Sequence, residues 1–231
     1  MLPAHTGQLT LGIGLDDDAR FENYFVSSHN QQAITHLQDA SERFIYVWGN
    51  GSPGLTHILQ AACHQLASRN ESALYLPLKD KSQFSSQILT GISSLALVCL
   101  DDIDEISGDE NWESALFTAF NEIKDSNARL IIVGKSAPQN LQIQLPDLKS
   151  RLQSGLILQI QKLSDEDKLL ALQLRAKKRG IELTDSVAEF ILIRAERSLS
   201  ALIHILDELD ESSLIQKRKL TIPLVKSTLG W

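Results

Sequence analysis

The chain has 231 residues, of which 43% are hydrophobic, and its formal net charge at pH 7 is −7. This length suits one large domain or one domain with a small appendage, and the apolar fraction is sufficient for a buried core. The acidic balance argues against nonspecific nucleic-acid binding, because neutralising phosphates requires clustered lysines and arginines. No apolar run is long enough to span a bilayer and no signal-peptide pattern opens the chain, so the sequence predicts a cytoplasmic protein without a membrane partner.

The first residues of the chain are mostly small and polar, and they contain a short alternating apolar pattern. Leu9, Leu11 and Ile13 alternate behind Gln8. Such a pattern is typical of an extended peptide whose side chains enter apolar pockets of a partner. The same residues also fit an unstructured tail with three chance aliphatic side chains, so spacing alone leaves both interpretations open.

A glycine-rich turn joins an apolar, β-rich run at 44–48 to a helical pattern. Gly49, four further residues, Gly54 and then Thr56 fit the spacing of a P-loop, except that Leu55 stands where a lysine is expected. In a P-loop, successive backbone N–H groups at a helix N-terminus bind phosphate. The turn therefore predicts nucleotide binding, whereas the missing ammonium predicts little hydrolysis of the bound nucleotide.

Four more short apolar runs follow, and they alternate with helical segments. Strands that are apolar throughout are typical of a parallel sheet buried on both faces, so the pattern predicts an α/β domain. The five predicted strands are 44–48, 73–78, 95–100, 130–133 and 156–160.

Two aspartates, Asp101 and Asp102, come directly after the third predicted strand. Ligands of parallel sheets bind outside the carboxyl ends of the strands, which is where these side chains are expected. Asp101 is predicted to hold Mg²⁺, directly or through water, and Asp102 to orient a water molecule. Alternatively, adjacent acids at a strand end act as turn or cap residues.

From Ser164 onward the apolar periodicity is helical. Ser164 and Asp167 have the spacing of a helix-capping pair. We therefore expect three regions: a flexible N-terminal peptide over 1–15, a nucleotide-binding α/β domain over 16–163, and a helical lid over 164–231.

This order of features resembles the AAA+ ATPase domain of the bacterial replication initiator DnaA, and more closely the Hda family, which are regulatory inactivators of that initiator. The resemblance covers essentially the whole chain and includes the stretches at 145–152, 163–168 and 218–223. It implies a five-stranded AAA+ P-loop NTPase-like sheet with flanking helices and a small all-helical lid. Initiators carry a DNA-binding domain after the lid, whereas this chain stops at Trp231, so the resemblance favours the regulator and predicts no direct sequence-specific DNA binding.

The resemblance gives Arg151 a role on a neighbouring molecule. In the family, the arginine at this position projects into the ATP site of another subunit, and such an arginine finger can accelerate hydrolysis by about 10³ to 10⁵. Arg151 could instead form a plain surface ion pair, which would contribute little.

The apolar pattern at Gln8, Leu9, Leu11 and Ile13 similarly looks like the family's peptide for the sliding clamp of DNA polymerase III, its beta subunit. Gly12 replaces a proline that is often found there. The free peptide is therefore expected to be less preorganised for binding.

Three positions that act on the protein's own nucleotide differ from those of initiators. Leu55 replaces the P-loop lysine, Lys135 replaces an acidic sensor residue, and Ser200 aligns with a lid arginine that contacts phosphate. Arg194 and Arg197 are close enough in sequence to substitute for that arginine. These changes predict a protein with little intrinsic ATPase activity that binds a nucleoside diphosphate, ADP, with Mg²⁺ as a weaker expectation. The resemblance implies that the nucleotide-binding residues are Tyr24, Phe25, Val26, Asn50, Gly51, Ser52, Pro53, Gly54, Leu55, Thr56, His57 and Ser200.

Three hypotheses for the function follow. The leading one is a regulatory adaptor that binds the DNA-loaded clamp, inserts Arg151 into the ATP site of DnaA and so prevents re-initiation; whether it forms a homodimer stays open. The second is an ATPase or clamp-loader-like subunit that hydrolyses its own ATP. The third is a nucleotide-free scaffold in which the glycine turn merely connects a strand to a helix.

Overall fold

The computed structural model of the chain describes residues 14–51, 54–216 and 219–231. Gln8, Leu9, Leu11, Ile13, Ser52 and Pro53, all expected above to bind a partner or a nucleotide, lie outside these ranges.

The five predicted strands form one parallel sheet with the order β2-β3-β4-β1-β5. This confirms the predicted α/β fold, and the predicted runs differ from the strands by at most two residues at either end. The strands are β1 (Phe44–Trp48), β2 (Ala73–Pro77), β3 (Leu97–Asp101), β4 (Arg129–Gly134) and β5 (Leu156–Gln159).

Strand β5 differs from the expectation of burial on both faces. It stands at one end of the strand order and pairs with β1. Its residues alternate between partly buried and exposed, and Ile157 is 39% exposed. Its apolar composition therefore indicated a strand but not its position in the sheet.

Eight α-helices accompany the sheet within the described residues. They are α1 (Gln31–Gln38), α2 (Leu55–Ala67), α3 (Glu110–Lys124), α4 (Pro146–Gln153), α5 (Asp165–Lys178), α6 (Asp185–Arg194), α7 (Leu199–Gln216) and α8 (Ile222–Leu229). Short 3-10 helices occur at Phe21–Asn23, Leu78–Gln83, Ser86–Leu89, Ile92–Ser94, Ile103–Ile106 and Pro138–Asn140.

The two faces of the sheet have separate apolar cores, because alternate residues of a strand point to opposite faces. In β1, Ile45 and Val47 pack with α1 and α2, whereas Tyr46 packs on the other face with α3 and α4. The sheet is thus the middle layer of three, and the helix that follows the glycine turn lies directly on it.

Helices α5 to α8 pack around a third apolar core that is distinct from the two beside the sheet. Helix α5 begins with the predicted capping pair: the Ser164 hydroxyl accepts from Asp167 N at 3.0 Å, and Ser164 N donates to the Asp167 carboxylate at 3.4 Å. None of the helices in the described ranges is long and apolar enough to cross a membrane.

Candidate functional site

A cavity of about 820 Å³ lies where the carboxyl ends of β1, β3 and β4 face the helices of the lid. It brings together most of the predicted nucleotide-site residues, although they come from distant parts of the chain. Those that line it are Tyr24, Phe25, Asn50, Gly51, Gly54, Leu55, Thr56, His57, Asp101, Asp102, Lys135 and Ser200. Val26 is the exception among the described ones, because its side chain packs against the core around α2.

Two glycines of the turn, Gly51 and Gly54, have backbone conformations that favour glycine. Their φ angles are 72° and 83°, which L-residues rarely adopt. Gly54 is also crowded, since a Cβ built there would lie 3.0 Å from the Tyr24 ring. Helix α2 begins immediately after it, so its free N–H groups face the cavity.

Leu55 lies on the inner side of this helix start. Its side chain is only 8% exposed and belongs to the core between α2 and the sheet. The position that usually carries the P-loop ammonium therefore contributes apolar packing and supplies no charge to a phosphate.

Asp101 is held by three hydrogen-bond donors at the end of β3. Its Oδ2 accepts from the Thr56 hydroxyl at 2.7 Å and from the Tyr75 hydroxyl at 2.9 Å, and its Oδ1 accepts from Asp102 N at 3.0 Å. Thr56 and Tyr75 come from other elements, so Asp101 is not simply a turn residue.

The pair formed by Thr56 and Asp101 fits a magnesium site only partly. A hydroxyl and a carboxylate are ligand types that Mg²⁺ accepts, but this ion usually completes its shell with phosphates and water. Among the described residues, no group of three or more His, Cys, Asp or Glu side chains could hold a metal ion. Any Mg²⁺ here would thus depend mainly on oxygens of the nucleotide.

Asp102 has a strained backbone, with φ 55° in the left-handed region. It precedes the short helix Ile103–Ile106 but makes no side-chain capping hydrogen bond. Burial and the charge of Asp101 raise the pKa of its carboxyl group. The cap-residue alternative is therefore not observed, and the carboxyl group lines the cavity.

Lys135 lines the cavity but its ammonium is engaged elsewhere. Its Nζ forms a 3.0 Å ion pair with Glu105, and its backbone N donates to Asp104 at 2.7 Å. In this arrangement Lys135 does not take the place of the absent P-loop lysine. In the sequence, Asp104 and Glu105 follow shortly after Asp102, and these acidic residues were the signal that could have indicated this pairing.

The two lid arginines suggested as substitutes do not line the cavity. The Arg194 guanidinium lies 3.8 Å from the centre of the Phe190 ring, and Arg197 pairs with Asp165 at 3.1 Å. Ser200 does line the cavity, together with Leu199 from the first turn of the same helix.

Arg151 lies at the opposite end of the sheet from this cavity. It is half-buried near Phe44 and Gly155, where β1 and β5 begin, whereas the glycine turn follows the other end of β1. The five residues of β1 separate these ends by about 13 Å, at roughly 3.3 Å per residue. Within the described residues the Arg151 guanidinium forms no hydrogen bond or ion pair, so the predicted alternative of a surface ion pair is not observed.

Sequence patterns did not single out several residues around the cavity. Arg175 of α5 and Gln60 of α2 line it, and both are buried. Lys162 lies over the glycine turn, where its Nζ would be 2.7 Å from a Cβ built on Gly51. In the sequence these residues lie in ordinary helical or loop patterns, so no signal there indicated that they lie at the cavity.

Comparison with known families divides the chain at the same place as its apolar cores. Residues 15–159 match the family model described as the bacterial DnaA ATPase domain, and residues 165–229 match the model described as the Hda lid domain.

Solved structures with the same fold include both initiators and a motor. Domain III of the Thermotoga maritima replication initiation protein DnaA superposes with a TM-score of 0.76 at 20% identity, covering 94% of this chain and 98% of that one. AMPPCP-bound DnaA from Aquifex aeolicus gives 0.73 at 22% identity, covering 84% and 66%. The Thermotoga maritima RuvB Holliday junction branch migration motor gives 0.65 at 14% identity, covering 89% and 70%.

Proposed function

Since the chain belongs to the bacterial DnaA ATPase-domain family and carries an Hda-type lid, we propose that it is a nucleotide-bound regulator of replication initiation. In this proposal it inserts Arg151 into the ATP site of DnaA and stimulates hydrolysis there. Residues 8–13 bind the DNA-loaded sliding clamp, so that initiator inactivation follows ongoing replication.

The observation that carries this proposal is the position and the bonding of Arg151. An arginine that served the protein's own nucleotide would lie at the cavity. Arg151 lies instead at the opposite end of the sheet and has no hydrogen-bond acceptor among the described residues. A planar guanidinium with free donors suits charge stabilisation on a transferring phosphoryl group of another molecule.

The protein's own site supports binding without rapid turnover. Backbone N–H groups at the start of α2 offer donors for a phosphate, and the Thr56 hydroxyl and Asp101 carboxylate are oxygens that a nucleotide-bound Mg²⁺ would accept. The usual P-loop ammonium is absent, because Leu55 at that position is buried in the core, and the Lys135 ammonium is paired with Glu105. Lys162 lies over Gly51 but does not line the cavity. We propose ADP as the resident nucleotide.

Arg151→Ala tests the proposal directly. Clamp loaded on DNA, ATP-bound DnaA and this protein are mixed, and phosphate release is measured under single-turnover conditions. The variant is expected to lower the stimulated rate by about 10³, because a trans arginine finger contributes at least that factor.

Arg197→Ala is the matched control, because this exposed lid arginine is distant in sequence from α4 and does not line the cavity. It should stimulate DnaA as the unchanged protein does. Full stimulation by the Arg151 variant would refute the assigned role. Rapid steady phosphate release by the isolated protein would instead favour an ATPase that uses its own Thr56–Asp101 pair.

A further inference from the structure

Arg175 is a buried cation that the proposed function does not yet explain. It lies on α5 with a relative exposure of 7%, and it lines the cavity together with Ala171 one helical turn earlier. Within the described residues, the basic side chains that line the cavity are those of Arg175, Lys135 and His57. The Lys135 ammonium is already paired with Glu105. Burial lowers the pKa of His57, which favours its uncharged form.

The protein satisfies the Arg175 guanidinium only in part. Its Nη1 donates to the carbonyl oxygen of Asp18 at 3.3 Å and lies 3.7 Å from the Asp18 carboxylate. A guanidinium has five N–H donors, and no other hydrogen bond of Arg175 is formed with the described residues. Most of its donors thus have no acceptor among the described residues, and the residue lines the cavity.

Arg179, which directly follows α5, offers a contrast four residues beyond Arg175. It pairs with the same Asp18 carboxylate at 3.3 Å and also with Asp207, so its guanidinium has two carboxylate partners. Arg179 does not line the cavity. The two arginines therefore share one structural partner and differ in access to a ligand.

Arg175 lies on the side of the cavity that the N-terminal segment forms, because it bonds to Asp18, and Tyr24 and Phe25 of the same segment also line the cavity. Thr56 and Asp101 mark the phosphate end, at the start of α2. Besides burial, Asp18, Arg179, Asp16 and Asp207 influence the pKa of Arg175, and Arg175 in turn helps burial to lower the pKa of His57 in the first turn of α2.

We propose that Arg175 contacts the base or ribose of the bound nucleoside diphosphate and donates hydrogen bonds to its acceptor atoms. Once a ligand fills the cavity and excludes water, a donor without an acceptor is costly, so a ligand that supplies acceptors at this point is preferred over one that does not. This inference rests on the proposed nucleotide binding, and it adds a lid residue that selects the nucleoside.

The test compares Arg175→Met with Arg179→Met, because both remove a pair with Asp18 while keeping an apolar stem of similar length. ADP affinity is measured by calorimetry, together with the affinity for pyrophosphate. Arg175→Met should weaken ADP binding about tenfold or more, since hydrogen bonds from charged groups contribute at least that factor. Arg179→Met should stay within about twofold of the unchanged protein, and neither variant should change pyrophosphate binding.

Asp18→Asn separates contact with the nucleotide from simple support of the lid. It leaves the backbone carbonyl that Arg175 binds and removes the shared carboxylate, so ADP affinity should be nearly unchanged. A loss in Asp18→Asn or Arg179→Met equal to that in Arg175→Met would overturn the proposal in favour of a structural tie. If Arg175→Met does not fold, Arg175→Lys is compared with the same two variants instead. Its expected loss of ADP affinity is about threefold or more, because an ammonium lacks the planar fork of a guanidinium.

Three further results would also overturn the inference. Unchanged ADP affinity in Arg175→Met, or a parallel loss of pyrophosphate affinity, would show that Arg175 does not contact the nucleoside, and both results leave the proposed function intact. A complete lack of ADP binding by the unchanged protein would remove both the inference and the nucleotide part of the proposed function.

Discussion

Gly54 shows at the scale of a single residue how the phosphate loop constrains the sequence. Its φ of 83° favours glycine, and the Tyr24 ring occupies the space into which a side chain would project. Tyr24 also lines the cavity and lies 5.6 Å from His57, measured between ring centres. Because this residue is glycine, the turn, the Tyr24 ring and the start of α2 can approach one another closely.

Gly54→Ala should destabilise the protein and weaken nucleotide binding together. The left-handed backbone alone costs about 1 to 2 kcal/mol for an alanine, and the contact with Tyr24 adds to this. Urea unfolding gives the free energy of unfolding, and calorimetry gives the ADP affinity.

Gly180→Ala is the control, because Gly180 has a similar φ of 76° but nothing within 4 Å of an added Cβ. It should show the backbone cost without a change in ADP affinity. Equal stability losses and unchanged ADP affinity in both variants would mean that the Tyr24 contact has no effect.

At the scale of elements, helix α4 owes its position to a buried carboxylate on α3. Glu113 is 1% exposed and accepts hydrogen bonds from the backbone N atoms of Gly108, Gln144 and Leu145. Leu145 directly precedes α4, whose last turn carries Arg151. A single side chain thus anchors the entry to the helix that bears the proposed arginine finger.

Helix α5 depends in a similar way on its N-terminal cap, and Ser164→Ala should lower the stability of the lid. The capping hydrogen bonds satisfy backbone groups that the helix itself leaves free, and their loss costs about 1 kcal/mol. Thermal and urea unfolding measure the change.

Thr184→Ala is the matched comparison at the start of α6. The Thr184 side chain makes no capping hydrogen bond, although its hydroxyl lies 3.2 Å from that of Ser186. Its replacement should cost less than about 0.5 kcal/mol. A larger loss for Thr184→Ala than for Ser164→Ala would contradict the interpretation of the two caps.

At the scale of the whole molecule, the N-terminal segment, the sheet with α2, and the lid helices enclose the cavity and are joined around it. The Asp18 carboxylate links the N-terminal segment to Arg175 of α5 and to Arg179 directly after that helix. Buried Asn30 both donates to and accepts from the backbone of Gln161, in the segment that leads into the lid. A nucleotide in the cavity would contact all three parts at once.

ADP should consequently stabilise the folded molecule as a whole. At a free concentration of 100 times its dissociation constant, a ligand that binds only the folded state adds about 2.7 kcal/mol to the free energy of unfolding. AMP at the same concentration should add less, because it lacks the β-phosphate that the glycine turn is proposed to bind. Unfolding experiments with each nucleotide measure this, and the absence of any shift with ADP would support the nucleotide-free scaffold.

Much of the fold was predictable because it depends on local patterns. Apolar runs indicated the five strands, the Ser164–Asp167 spacing indicated the start of α5, and the Gly49–Thr56 spacing indicated the loop. The edge position of β5 was not predictable in this way, because strand order depends on contacts between residues that are far apart in sequence.

The sequence by itself determined the family, the fold class and the altered phosphate loop, since those follow from residue types at fixed spacings. Only the tertiary structure decided that Lys135 pairs with Glu105, that Arg151 lies at the opposite end of the sheet from the cavity, and that Arg175 lines the cavity. The physical reason is that a charged side chain takes its role from its neighbours in space. Those neighbours come from elements that only the packed fold brings together.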